Sequence, residues 1–346
     1  MNNKLRRSAL LVEAYVQGGE FDIDNYLTIV ALEDGLTASL STNAVEYCID
    51  GDGNWTTLTA GATSPAINTG QTLSFRGNLT PTSIKGVGTF TISKSCELTG
   101  NCMSLLFGDN AKTNLSLDGK SYAFYKLFYN CSTIKNVSSN FLPATLLVSQ
   151  CYNSMFLGCA SLTTAPQLPA TTLATNCYGW MFQGCSSLTA APQLPATTLA
   201  NFCYQSMFYG CSSLTTAPQL PARTLIIRCY QNMFYGCSSL TTAPQLPATS
   251  LESQCYDNMF YGCSSLTTAP QLPATTLATE CYNYMFYGCS KLNYIKAMFT
   301  TIPSNSYTNY WVSGVASSGT FVKNKNATWD VTGTSGIPSG WTVQTA

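Results

Sequence analysis

Residues 151–176 read CYNSMFLGCASLTTAPQLPATTLATN, and this text returns almost verbatim from Cys177, Cys203, Cys229, Cys255 and Cys281 at a constant step of 26 residues. A period between roughly 20 and 50 residues marks a repeat array, in which no unit can bury its apolar side except by stacking on the next. In CYxxMFxGC the apolar residues fall at i, i+1, i+4, i+5 and i+8, a one-sided pattern that predicts a short helix. Gly158 and its equivalents end that helix, since glycine accepts the left-handed conformation of a helix exit. The remainder, SLTTAPQLPATTL, predicts an extended segment with its Leu and Ala positions turned inward. Pro166, Pro192, Pro218, Pro244 and Pro270 fall inside it. Proline brings no N–H to a ladder, so parallel pairing should cover only two or three residues around Leu-Thr-Thr.

The array is expected to span residues 93–300. It opens with worn copies: Cys102, Leu106 and Phe107 echo the unit once, and Ala123, Leu127, Phe128 and Cys131 echo it again. Terminal units lack a neighbour on one side and are expected to be atypical. Past Leu292 the pattern fades, and strand-like pieces at 319–322, 327–331 and 341–344 predict a β cap over residues 301–346. Residues 26–92 contain β-branched and aromatic runs (YLTIVALED, LTASLST, AVEYCID, NWTTLTA, TLSFRGN) broken by Gly, Asn, Asp and Pro, which predicts a small antiparallel, Ig-like β-sandwich. Asp50, Gly51, Asp52, Gly53 and Asn54 read as a hairpin turn. The same residues imitate the first half of a calcium loop, but Trp55 and Gly61 stand where that loop needs Gly and Glu. Residues 1–25 are expected to form an anchoring or oligomerisation arm, with a frayed terminus as the alternative. Lys4, Arg6 and Arg7 before an apolar stretch resemble a signal peptide, yet Glu13 interrupts it and no cleavage site follows cleanly.

Sixteen basic and sixteen acidic residues cancel, and only 9% of the chain is charged. No general attraction to nucleic acid or to an anionic membrane follows. No apolar run approaches the roughly 20 residues of a membrane helix. The sequence contains no histidine, which removes the commonest general base and the commonest zinc ligand. Twelve of the sixteen cysteines form six Cys-x7-Cys pairs. Across a helix the partners of one pair would be about 12 Å apart, beyond the roughly 7 Å limit for bridging. Bonds between equivalent cysteines of adjacent repeats stay open, while buried free thiols acting as small apolar groups are the preferred reading. No metal and no cofactor is expected.

On these residues the unit resembles the BspA-type leucine-rich repeat, with MFLGCASLTTAPQLPATTL matching in its aromatic, Gly, Cys, Leu and Pro positions. Met replaces the usual Ala, and the strand carries an additional proline. The resemblance implies a surface protein of Bacteroidales or of a phage infecting them, and an α+β fold: a leucine-rich-repeat solenoid with a short strand and a short helix per 26-residue repeat. It also implies an adhesin-like role, binding host or bacterial surfaces.

Binding should be written in positions that change between copies. The free position of MFxGC reads Leu157, Gln183, Tyr209, Tyr235, Tyr261 and Tyr287, and neighbouring variable positions add Trp180 and Tyr284. Rings mixed with amides suit a glycan or a protein, and an ordinary solvent-facing surface is the alternative. Arg223, Ile226, Ile227 and Arg228 replace small polar residues and form a candidate partner-contact patch. Between 151 and 290 the acids are Glu252, Asp257 and Glu280. A glycan-degrading enzyme, the third and least favoured reading, would need a carboxylate pair. Glu252 and Glu280 lie 28 residues apart, near the repeat step, but lack matching polar neighbours, and no catalytic residue is assigned. The expected role is non-enzymatic display on a virion surface, as a head or tail fibre or capsid decoration. A bacterial cell-surface adhesin is the alternative. Expected partners are a host-surface glycan or protein, a virion structural protein docked through the arm, and a second copy in a homo-oligomer.

Overall fold

The computed structural model describes residues 21–83 and 85–346. The arm therefore lies outside the described residues, except for its last five. There Phe21 stacks on Tyr26 at 5.1 Å, and Asn25 donates to the Asp109 carbonyl (2.9 Å) while accepting from the Lys112 amide (2.7 Å).

The N-terminal strands are β1 (Leu27–Ala31), β2 (Ala38–Leu40), β3 (Val45–Ile49), β4 (Thr56–Leu58), β5 (Thr72–Arg76), β6 (Phe90–Ile92) and β7 (Cys96–Gly100). They fall into two sheets, a β2-β6 pair and a six-stranded sheet ordered β4-β3-β5-β1-β7-β8, where β8 is Ile134–Val137. The Asp50 turn joins β3 to β4 as a hairpin. Every pairing in the larger sheet is antiparallel except the last, in which β7 runs parallel to β8. The strands thus do not close on themselves at residue 92. β7 carries them into the parallel stacking of the repeats, and Leu27, Ile29, Leu73, Phe75 and Leu98 share one core with the repeat interior.

The short helix expected in each repeat does not form. From 151 to 289 the CYxxMFxGC segments are ribbons of consecutive turns, and the one α-helix among the described residues, α1 (Ser104–Phe107), lies in a worn copy. In the unit beginning at Cys203, alternate amides serve two directions. Gln205, Met207, Tyr209 and Cys211 donate three residues back, to the carbonyls of Phe202, Tyr204, Ser206 and Phe208. Tyr204, Ser206, Phe208 and Gly210 donate instead to the next repeat, to Cys229, Gln231, Met233 and Tyr235, at 2.7–3.1 Å. A helix would direct every amide to its own segment and leave none for the neighbour. Every fourth residue also has positive φ, as at Phe202 (59°), Ser206 (52°) and Gly210 (72°). Each takes the third place of a turn, where type II geometry demands it. Over nine residues a four-residue turn period and a 3.6-residue helix period give the same apolar pattern, which is why the sequence suggested a helix.

The core is built of columns. Phe156, Phe182, Phe208, Phe234, Phe260 and Phe286 stack at 5.7–5.8 Å with nearly parallel planes. The invariant tyrosines from Tyr152 to Tyr282 do the same at 5.8–6.1 Å. All sixteen cysteines are free and buried. The second thiol of each unit donates to a phenylalanine carbonyl of the preceding one, as Cys211 does to Phe182 and Cys237 to Phe208, both at 3.1 Å. Burial raises these thiols, Cys237 to about 12.

Parallel pairing in the return limb is shorter than expected. It shrinks to single bridges such as Ala190 with Thr216 and Thr216 with Thr242. Where the sequence lacks the Ala-Pro dipeptide, full strands appear: β9 (Tyr294–Ala297), β10 (Thr320–Lys323) and β11 (Thr342–Thr345), a parallel sheet in the order β11-β10-β9. The repeat ladder also runs beyond residue 300. Tyr284, Phe286 and Gly288 donate to Asn309, Trp311 and Ser313, so 307–314 is another worn ribbon. The strand expected at 327–331 is absent. Trp329 there stacks on Phe299 at 4.9 Å and donates its indole N–H to the Phe299 carbonyl (3.1 Å), covering the core end with a side chain.

Candidate ligand-binding face

Tyr209, Tyr235, Tyr261 and Tyr287 form one half-buried stack on the ribbon face. Their centroids are 4.4, 4.3 and 4.6 Å apart, with planes within 10° of parallel. Equivalent rings in the core of the six full repeats are separated by 5.7 Å or more. Neighbouring units are therefore related by a rotation as well as a translation, with the Tyr209 column on the short side. The close stacking changes what the column offers. Interior ring faces cover one another, so its length presents ring edges and hydroxyls. Burial, then hydrogen bonding with Tyr261, pushes Tyr235 up to about 12.

Tyr284 lies beside the end of this stack, 6.0 Å from Tyr287 and tilted, and stacks on Tyr310 at 5.6 Å. Tyr310 is 45% exposed. It occupies the position of Tyr284 one repeat later, and sequence reasoning missed it because YTNYWVSG no longer looks like CYNYMFYG. Tyr129 was missed likewise. Its neighbour Asn130 donates to the Leu157 carbonyl as Gly158 does to Gln183, so Tyr129 begins the column that Leu157 and Gln183 interrupt. Trp180 is half-buried at φ 55°, four repeats before Tyr284 in the neighbouring column. Among the described residues no ring lies against it.

The Arg223, Ile226, Ile227 and Arg228 group separates. Arg223 and Ile227 are exposed, whereas Ile226 packs partly against the core. Arg228 is turned along the stack: its guanidinium lies 5.6 Å from the Phe202 ring and donates to the Gln254 side chain, which in turn donates to Glu280. A second polar column runs beside it. Gln205 donates to Gln231 (2.6 Å), and Gln231 donates to Asp257 (2.8 Å), which also accepts from Asn258. Loss of water raises the buried Asp257 carboxyl to about 6 against these donors. Glu252 and Glu280 do not occupy one column. Glu280 is the counterpart of Gln254, and Glu252 sits exposed two residues earlier in its own repeat. Among the described residues no cluster of potential metal ligands occurs, and no helix is long and apolar enough to cross a membrane.

The BspA type leucine rich repeat region is the family whose model matches, in six copies over residues 113–241 and 201–321, together more than half of the chain. No curated protein matches the sequence. The 26-residue unit, its stacked columns and this match agree, and the chain belongs to the BspA-type leucine-rich repeat family.

Proposed function

We propose that the chain is a non-enzymatic display protein: a solenoid of leucine-rich repeats, mounted on a β-rich base, that binds a host-surface glycan or protein through its ribbon face. The carrying observation is the half-exposed tyrosine stack from Tyr209 to Tyr287, continued by Tyr284 and Tyr310. Side chains with an apolar body and a polar tip are the usual anchors of recognition surfaces. Family membership supports a surface-binding role, and the weakly charged, hydroxyl- and amide-rich exterior suits contact with hydroxyl-rich partners. Binding of the full chain to an array of host-surface glycans and proteins tests the reading; the absence of any bound partner would end it.

The proposed location is a phage particle, as a head or tail fibre or capsid decoration, with the arm docking to a virion structural protein. Cosedimentation with purified virions is the expected result. Recovery in a bacterial envelope fraction instead would identify a cell-surface adhesin.

A further inference from the structure

The junction between the N-terminal strands and the first ribbons holds a cleft of about 220 Å³ lined by Ser41, Thr42, Lys85, Thr89, Tyr125 and Lys126. We propose that this cleft binds the acidic group of a sugar, a carboxylate or sulfate ester, and so makes the chain a reader of anionic glycans. The inference rests on the display-and-binding reading above and narrows its ligand.

No carboxylate lines the cleft. The ion pairs among the described residues use Arg76, Lys112 and Lys323, leaving Lys85 and Lys126 uncompensated. Two lysines on the wall of one cavity repel each other, and an anion bound between them relieves that repulsion. In a chain with so few charges, that arrangement stands out from the rest of the surface.

The walls are also fixed in place. Lys126 sits at φ 57° in the first ribbon, with its Nζ 5.1 Å from the ring centroids of both Tyr125 and Tyr129, a cation–π clamp. Its carbonyl accepts from the Thr89 hydroxyl (3.0 Å), and the Thr89 amide donates to Ser41 Oγ (3.0 Å). Lys85 is brought in by Gly86, at φ 58°, where a Cβ would lie 2.7 Å from the Tyr122 carbonyl. That turn rests backbone to backbone on the ribbon and has no room for a side chain. The donors are unspent as well. Ser41 Oγ accepts from the Thr89 amide and Thr42 Oγ1 from Asn43, and among the described residues neither hydroxyl donates. Two ammonium groups and two free O–H groups match the oxygens of a carboxylate or sulfate, while the Tyr125 ring offers an apolar surface to the sugar. The cavity is smaller than the roughly 300–1,000 Å³ of pockets for drug-sized ligands, which suits one sugar residue.

Calorimetric titration of the full chain with sialyllactose and with sulfated galactose tests the site, using lactose and sodium sulfate as controls. At least one acidic sugar should bind ten times more tightly than either control and should weaken as salt screens the lysines. Lys85→Gln combined with Lys126→Gln should reduce that binding at least tenfold with the melting transition still cooperative, and Ser41→Ala should weaken it less. Equal affinity for lactose, equal affinity for free sulfate, or indifference to the double substitution would overturn the assignment. The broader reading fails separately. If acidic sugars bind at the lysines but the chain attaches to no host surface, the site stands and the display role falls. Surface attachment without acidic-sugar binding removes the site alone.

Discussion

The turn ribbon and the return limb of the same repeat solve the stacking problem in opposite ways. In the ribbon, the backbone makes the joint: four amides of each unit reach the next, as Tyr204, Ser206, Phe208 and Gly210 do. Side chains there carry less of that duty, although Gln205 still reaches Gln231, and Gln205, Ser206 and Tyr209 differ from copy to copy. In the limb, Pro218 and its equivalents leave only isolated bridges, such as Thr216 with Thr242 and Thr224 with Ser250. Hydroxyls take over part of the work. Thr163, Thr215 and Thr241 donate to the carbonyls of Lys135, Thr189 and Thr215 in preceding units at 3.0–3.4 Å. These exposed threonines therefore recur for a structural reason, and the variable letters collect where the backbone already holds the stack.

Substitutions can break this contrast in graded steps. The largest effect should come from the ribbon core. Phe208→Ala opens a void between two stacked rings and should cost about 3–5 kcal/mol, read by urea denaturation. Gly236→Ala tests the backbone of the ribbon alone. Its φ is 71°, and an added Cβ would sit 3.8 Å from Gly210, an ordinary contact. The loss should therefore be the left-handed penalty of about 1–2 kcal/mol.

Asp257 gives the ribbon a pH dependence. Its folded pKa, raised to about 6, stands above the ordinary value of 3.8. The associated stability is present in full below that ordinary value and is lost as pH rises through about 6. Asp257→Asn should flatten this part of the stability profile between pH 4 and pH 7 and leave the chain more stable at neutral pH. Glu280, which raises the carboxyl, and Arg228, which lowers it, remain in the variant. The smallest effect belongs to the limb. Pro218→Ala restores one N–H and should change stability by under about 1 kcal/mol. Hydrogen exchange should reveal whether the new amide becomes protected, as expected if proline alone interrupts the ladder that forms at β9.

The period, the inward columns and the placement of the tyrosine stack were legible because each repeats every 26 residues. The ribbon conformation was not, since apolar residues at i, i+4 and i+8 fit both a helix and a run of turns. Its left-handed positions were hidden as well. They hold Phe202, Arg228, Gln254 and Glu280, with Asn176, Asn232 and Asn258 giving only a faint signal for positive φ. Tyr310 escaped because Trp311 replaces the methionine that marks the unit. The lysine cleft left no trace in the sequence, since Ser41, Lys85 and Lys126 meet only through the fold.

The central claim is that the ribbon face binds while the columns beneath it only support. It is tested most directly by replacing Tyr209, Tyr235, Tyr261 and Tyr287 together with Ser and measuring attachment of the full chain to its array-identified partner. Attachment should fall at least tenfold with the melting transition still cooperative. Unchanged attachment by a folded variant would contradict it.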